Sequence, residues 1–377
     1  MIAVIADDIT GAAEIAGVGL RYGMTVALAT SVDGASPHVQ LWVIALDTRS
    51  MSSQGAVAKV SLVVRRLVDV GVKDIFKKTD SVLRGHVIKE LAAQREVEGK
   101  KKVILCPANP EEGRQIVDGV YLINGIPISE TSFAMDPEFP ATTSIVRKIL
   151  GVDLIEQSGV SVVNATNRAD LLEAASHKDE DTALAGSAAF FAAYLDYLKF
   201  KTTISPSFIP KIENTLYVCG SAFDKSHQTV EAARKAGAAV TYISPLWLEE
   251  PELEANLEGC VQKLVEAIMV NGRAILAIDH PVVKEKKAAG KLKQYVVKVV
   301  ENVLAKVTIN ELVVEGGSTT FSIVEALKYR QFRPTNELAN GVVRMNVEEN
   351  RSIHLTIKPG SYNFPKIIWN FLKLKNE

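Results

Sequence analysis

Cysteine is scarce in this chain of 377 residues: there are three, Cys106, Cys219 and Cys260, far apart and without CxxC spacing. That argues against a disulfide framework or a cysteine-based zinc module, and fits reduced, buried thiols in the cytosol. The six histidines show no metal-site spacing and no legible Ser-His-Asp or Cys-His grouping. Net charge is only -1, so the chain has no basic field with which to hold nucleic acid by its phosphates. No apolar run approaches the length of a membrane span. Residues 1–6 are apolar but meet Asp7 and Asp8 at once, leaving no room for the basic and apolar regions of a signal peptide. The expectation is a soluble, cytoplasmic protein with no nucleic-acid and no membrane partner. Two phosphate-binding signatures are missing as well: there is no GxxxxGK[ST] anywhere and no GxGxxG after a strand-like run.

What is present is apolar and periodic. Hydrophobic residues make up 47% of the chain, enough at this length for about two domains, each burying its own core. Residues 2–6 form a short run ending at Asp7 and Asp8, and residues 12–22 follow at helical spacing up to Gly23. Strand-like runs at 24–30, 41–46, 74–76, 102–106, 160–164 and 183–186 are interspersed with helical patterns at 54–70, 86–97, 168–177 and 187–199. Such alternation predicts a parallel, doubly wound sheet. Between residues 119 and 140 the composition turns to Gly, Pro and Ser, and Asn124-Gly125 between two apolar stretches predicts a hairpin in a lid or flap. Residues 201–214 carry two prolines and no sustained apolar period, which marks a linker. The same grammar then resumes, with strand-like runs at 215–219, 239–243, 274–278 and 311–315, a helix at 321–329, and further runs at 342–346 and 353–357. The expected fold class is α/β with two domains, each a mostly parallel sheet flanked by helices: a domain at 1–200, the linker 201–214 and a domain at 215–377.

Charge gathers where the strands end. Lys77-Lys78-Thr79-Asp80-Ser81-Val82-Leu83-Arg84-Gly85-His86 follows one apolar run, and ligands of α/β proteins bind beyond the carboxyl ends of such strands. Lys78, Asp80 and Arg84 read either as a local ion-pair network or as a grip on a carboxylate or phosphate. Asp7 and Asp8 read either as helix caps or as carboxylates that hold a hydroxylated ligand, take a proton from an alcohol or bind Mg²⁺ through water. Pro107-Ala108-Asn109-Pro110-Glu111-Glu112-Gly113-Arg114, taken alone, is a turn with an exposed arginine. Gly316-Gly317-Ser318-Thr319 puts glycines between strand and helix, where backbone amides can approach phosphate oxygens, although a tight βα turn has the same composition. Gly220-Ser221 and Lys358-Pro359-Gly360 are ordinary turns when taken singly.

Together and in this order, Ala6-Asp7-Asp8-Ile9-Thr10-Gly11-Ala12, Lys78-Thr79-Asp80-Ser81-Val82-Leu83-Arg84-Gly85, Pro107-Ala108-Asn109-Pro110 with Gly113-Arg114, Gly316-Gly317-Ser318-Thr319 and Lys358-Pro359-Gly360 resemble the four-carbon acid sugar kinase family. That family includes threonate, erythronate and 3-oxo-tetronate kinases, and the resemblance spans residues 2–360. It implies an amino-terminal domain that binds the sugar acid, a carboxy-terminal domain that binds ATP, and an active site in the interdomain cleft. By position it implies that Asp7, Asp8, Lys78, Asp80, Ser81, Arg84 and Arg114 face the substrate. Asp8 or Asp80 would act as base, and Lys78 and Arg84 would hold the substrate carboxylate or neutralise the moving phosphoryl group. Ser221, Gly316, Gly317, Ser318, Thr319 and Gly360 would face the nucleotide. The implied cofactors are ATP and Mg²⁺, with no metal ligand assigned; the implied partners are a small sugar acid and ATP, and a homo-oligomer stays open. The expected activity is ATP-dependent phosphorylation of a hydroxyl on a four-carbon acid sugar, that is, a phosphotransferase with an alcohol group as acceptor. Family members usually carry an acidic residue where this chain has Ser318, which motivates the alternative of a non-catalytic sensor for a sugar acid or nucleotide. A dinucleotide-dependent oxidoreductase ranks last, for want of GxGxxG.

Overall fold

The computed structural model describes residues 1–33, 38–135, 139–203, 213–221, 223–248, 253–279 and 285–372. The chain divides into two units, Met1–Ser205 and Pro206–Glu377. Of the expected linker, residues 204–212 lie outside the described residues.

The amino-terminal unit begins with β1 (Ile2–Ala6), α1 (Ile9–Arg21), β2 (Val26–Ala29), β3 (Leu41–Ala45), α2 (Ser53–Asp69), β4 (Asp74–Lys78), α3 (Val87–Glu98) and β5 (Lys102–Cys106). It continues with β6 (Arg114–Val117), β7 (Val120–Ile123), β8 (Ile126–Pro127), α4 (Val146–Leu150), α5 (Val152–Ser158), β9 (Val160–Val162), α6 (Arg168–Ser176), β10 (Thr182–Gly186) and α7 (Ala188–Tyr197). Seven strands form a wholly parallel sheet in the order β2-β3-β1-β4-β10-β5-β9. Every residue of β1 and β3 is buried, because helices cover both faces of the sheet and neither strand has a wet side to alternate with. One layer contains α1, α6 and α7, and the other α2, α3 and α5. Phe76 of β4 meets Phe190 and Phe191 of α7 with ring centroids 5.9 and 5.1 Å apart; full burial of one such ring stabilises by about 1.5–3 kcal/mol.

The expected hairpin is present as β7 and β8, with β6 as a third antiparallel strand. Asn124 and Gly125 both take positive φ, 51° and 81°, the geometry that a two-residue hairpin turn of right-handed twist demands. Residues 136–138 of the expected lid lie outside the described residues.

The carboxy-terminal unit runs β11 (Thr215–Cys219), α8 (Asp224–Lys235), β12 (Val240–Ile243), α9 (Leu253–Asn271), β13 (Arg273–Ile278), α10 (Lys286–Lys306), β14 (Glu311–Glu315) and α11 (Gly317–Ala326). A meander of β15 (Gln331–Ala339), β16 (Val342–Val347) and β17 (Asn350–Lys358) follows, then α12 (Lys366–Phe371). The strand order is β12-β13-β11-β14-β17-β16-β15, parallel from β12 through β17 and antiparallel for the last two pairings. Side chains of α8 and α12 share one apolar cluster with Tyr217, Ile275 and Val313, while α10 packs against α9 and α11.

Two elements depart from the expected boundaries. β15 has no counterpart in the hydrophobic pattern, because its charges and Pro334 hide it, and its ladder with β16 shifts register just after that proline, which has no amide proton to pair. α11 starts at Gly317, four positions before the apolar period at residue 321, so its first turn is made of Gly, Ser and Thr. Among the described residues no helix is long and apolar enough to cross a membrane.

Candidate active site

In the amino-terminal sheet, Ala6 pairs in register with Ala45 on one side and Lys78 on the other, so the chain leaves β1, β3 and β4 at the same edge. Asp7 and Asp8 follow β1, Arg49 follows β3, and Asp80 follows β4. The strand register thereby delivers three carboxylates and a guanidinium to one place without help from any loop longer than a few residues.

Arg49 is the hub. Its Nε and Nη2 lie 3.1 and 3.0 Å from Asp7 Oδ2, and Nη2 lies 3.3 Å from Asp8 Oδ1 and 3.4 Å from Asp80 Oδ1. The sequence reading missed this residue, although the grammar that exposed the other charges applies to it: Leu41–Ala45 is an apolar strand, and Asp47-Thr48-Arg49 follows it. Gly85, at φ +86°, packs over the arginine stem; a Cβ there would stand 3.1 Å from Arg49 Cγ.

The three carboxylates are not equivalent. Asp8 caps α1, accepting from the Gly11 amide at 2.8 Å and from the Thr10 hydroxyl, so the capping reading holds alongside its contact with Arg49. Burial pushes its carboxyl up, but Arg49, Thr10, Lys78 and the Gly11 amide outweigh that and hold it below the usual range. Asp80 is bracketed by Arg84, with Nε at 2.8 Å and the backbone amide at 3.0 Å on Oδ2 and Nη2 at 2.9 Å on Oδ1. Burial again opposes ionisation, and Arg49 and Arg84 overcome it, keeping Asp80 far below the ordinary carboxylate range. Asp7 goes the other way: burial raises it and outweighs Arg49, with Asp8 and Asp80 adding repulsion. Its Oδ1 is buried with no hydrogen-bond partner among the described residues.

Lys77 and Lys78 point to opposite faces of β4, as consecutive strand residues must. Lys78 Nζ sits 3.3 Å from Glu14 on α1, and Lys77 Nζ sits 2.8 Å from Glu90 on α3, all four side chains being almost fully buried. A Cβ on Gly11 would come within 2.8 Å of Asp8 Oδ1 and 3.1 Å of Lys78 Nζ, so only glycine lets the cap and the lysine share that corner. Ser81 and Arg114, expected at the substrate, do meet: Arg114 Nη1 donates to Ser81 Oγ, and the Tyr121 hydroxyl of β7 donates to the Ser81 carbonyl. Leu83 is held at φ +66°, a rare conformation for a branched residue, on the turn between Asp80 and Arg84. A cavity of about 180 Å³ is lined by Arg84 together with apolar residues such as Val82, Ile128 and Phe133.

In the carboxy-terminal unit, Cys219, Glu315 and Lys358 are register partners at the ends of β11, β14 and β17, so Gly220-Ser221, Gly316-Thr319 and Pro359-Gly360 gather at one edge. The loops are packed to the point of excluding side chains: a Cβ on Gly220 would fall 2.1 Å from Thr319 Oγ1, and one on Gly360 would fall 2.5 Å from Ser221 Oγ. Gly316 sits at φ +103° as the N-cap of α11 and supplies no capping side chain, which leaves the first amides of that helix for an external acceptor. Ser318 accepts from Lys293 Nζ of α10 at 2.8 Å, a cation that nothing in its own stretch of sequence marks out. The expected nucleotide residues are thus brought together in loops whose close packing only glycine permits. Among the described residues no group of three or more His, Cys, Asp or Glu is arranged to hold a metal.

Residues 2–159 match a family model described as a sugar-binding N-terminal domain, and residues 216–362 match one described as a nucleotide-binding C-terminal domain. The chain belongs to the four-carbon acid sugar kinase family. Within it, the chain is 32% identical to the D-threonate kinase of Bordetella bronchiseptica over 44% of its own length and 43% of that relative's, so the matched stretch spans less than half of that protein. It is 23% identical to the 3-oxo-tetronate kinase of Burkholderia multivorans, covering 95% of this chain and 93% of that one. In fold it is similar to a solved structure from Salmonella typhimurium LT2, with a TM-score of 0.76 at 19% identity over 99% and 98% of the two chains. The fold shared with that structure carries both constellations described above, one in each unit.

Proposed function

We propose that this chain is an ATP-dependent kinase that phosphorylates a hydroxyl of a four-carbon sugar acid of the threonate, erythronate or 3-oxo-tetronate type. The observation that carries the reading is Asp7: a buried carboxylate with one oxygen on Arg49, the other without a partner among the described residues, and a proton affinity above that of its neighbours. An orphaned acceptor of this kind is satisfied by a substrate hydroxyl.

Asp7 is the base in this proposal, in preference to Asp8 and Asp80. Asp8 is engaged by Gly11 and Thr10 and Asp80 by Arg84, and both are held below the usual carboxylate range, which makes them weak acceptors. The acceptor O–H breaks, its proton passes to Asp7 Oδ1, the oxygen bonds the γ-phosphorus, and the bond to ADP breaks. Arg49, Arg84 and Arg114 grip the sugar-acid carboxylate and offset the charge that gathers as the phosphoryl group moves. Lys78, paired with Glu14, sets the field around Asp8.

On the nucleotide side, Gly220 and Gly360 let their loops close on Thr319 and Ser221, and the uncapped start of α11 after Gly316 meets phosphate oxygens. Mg²⁺ would arrive on those phosphates and supply charge neutralisation; the donor set fits a nucleotide-borne ion better than a resident one. A cytoplasmic location fits both the use of ATP and the three free, buried cysteines.

The test is ADP release with Mg²⁺ over the isomers of threonate, erythronate and 3-oxo-tetronate. Turnover on one acid is expected, and silence on all of them would overturn the kinase reading. Ser318, at a position where the family resemblance implies an acid, favours one rival, a sensor. Calorimetry that shows tight binding of acid and ATP without turnover would select it.

A further inference from the structure

Beneath the nucleotide loops lies a polar network that the proposed chemistry does not use. Glu315, the last residue of β14, is wholly buried, and its Oε1 lies 2.9 Å from Lys358 Nζ, itself buried at the end of β17. Tyr217 donates its hydroxyl to Glu315 Oε2 at 2.6 Å. Ser226 of α8, 2% exposed, lies within hydrogen-bond reach of two acceptors at once: Glu315 Oε1 and, at 2.8 Å, Ser221 Oγ.

A serine hydroxyl has one proton to give and lone pairs with which to accept. A carboxylate paired with a buried lysine only accepts, so the Ser226 proton goes to Glu315 and the bond between the serines must run the other way, from Ser221 to Ser226. Ser221 therefore spends its proton inward. Its oxygen, approached by the Phe223 amide at 3.3 Å, keeps a lone pair for whatever lies outside.

We infer that Ser226, anchored by Glu315, is a positioning residue that fixes the Ser221 hydroxyl as an acceptor toward the nucleotide. Ser221 then meets an electron-poor partner, either a hydroxyl or amine of the nucleotide or a divalent cation on its phosphates, and not a phosphate oxygen. This rests on the nucleotide-binding reading of the unit and adds to it a polarity and the residue that sets it.

The experiment is calorimetric titration of the full chain with ATP, with and without Mg²⁺, for wild type, Ser226→Ala, Ser221→Ala and the double variant. Loss of one oriented hydrogen bond is expected to weaken ATP binding about fivefold in Ser226→Ala. Because Ser226 acts through Ser221, the double variant is expected to bind no worse than Ser221→Ala alone, while affinity for the sugar acid stays unchanged. Ser226→Cys, which keeps the shape with a far weaker donor, is expected to lower affinity in the same direction and guards against a folding defect of the alanine variant. A loss that persists without Mg²⁺ assigns the partner as a nucleotide donor group; a loss that appears only with Mg²⁺ assigns the cation. Wild-type affinity in Ser226→Ala and Ser226→Cys, or a double variant whose loss is the product of the two single losses, would overturn the inference while leaving the nucleotide site intact. A wild-type chain that binds no ATP would overturn both.

Discussion

Arg49 places two nitrogens on a single oxygen of Asp7, Nε at 3.1 Å and Nη2 at 3.0 Å, and leaves Asp7 Oδ1 buried without a partner among the described residues. The arginine thereby keeps a desolvated carboxylate in place while satisfying only one of its oxygens, and the consequences can be measured.

If Asp7 accepts the alcohol's proton, Asp7→Asn keeps the shape and loses the chemistry. We expect kcat to fall by about 10²–10⁴-fold with a small change in the KM for the sugar acid. Asp8→Ala should behave differently, since it removes the cap on α1 and costs about 0.5–2 kcal/mol of stability, read as a lower melting temperature. Steady-state kinetics beside thermal melts separate the two, and an Asp7→Asn enzyme with normal kcat would refute the assignment.

The pH profile follows from the same pair. Catalysis needs Asp7 deprotonated, so the rate falls as pH drops through its pKa; burial holds that pKa above 3.8, and the acid limb should lie above the ordinary aspartate position. Arg49 opposes that rise. Arg49→Met should therefore move the limb to still higher pH, with Arg49→Lys in between. A limb at the same pH in all three proteins would show that Arg49 does not act on the titrating group.

Lys77 and Glu90 form a buried pair at 2.8 Å with 1% and 3% of their side chains exposed. Lys77→Met strands the Glu90 carboxylate and should cost about 3–5 kcal/mol, whereas Lys77→Met with Glu90→Leu should recover most of the loss. Urea unfolding followed by tryptophan fluorescence would report both, and equal destabilisation of single and double variants would mean that the pair is not the source.

Gly220→Ala sets a methyl group 2.1 Å from Thr319 Oγ1 and must push the α11 loop outward. Displacing positioning groups by about 1 Å can cost ~10²-fold in rate, so kcat/KM for ATP should drop on that scale with sugar-acid binding untouched. Kinetics with ATP varied and a parallel titration with the sugar acid check this, and a loss on both sides would point to general unfolding instead.

Much of this was legible before any coordinates. Apolar runs ending in charge located β1 and β4, and with them Asp7, Asp8, Asp80 and Arg84; Asn124-Gly125 located the hairpin. The same rule would have reached Arg49 had it been applied to β3, where the charge comes four residues after the strand's last residue, Ala45. Other features have no local signature. Lys293 lies within a 21-residue helix and reaches Ser318 across tertiary space, and Ser226 acquires its role only because α8 sets it over the end of β14. Nor could spacing decide between cap and ligand for Asp8, because a carboxylate that caps a helix can still reach a charged neighbour, as Asp8 does with Arg49.

Lys77 and Lys78 carry a further consequence. One neighbour ties β4 to the helix layer below through Glu90; the next serves the charged rim through Glu14. Anchors for the two opposite helix layers thus occupy adjacent beads on one string. Inserting or deleting a single residue in β4 would exchange the two faces, sending the cation that meets one helix layer into the other.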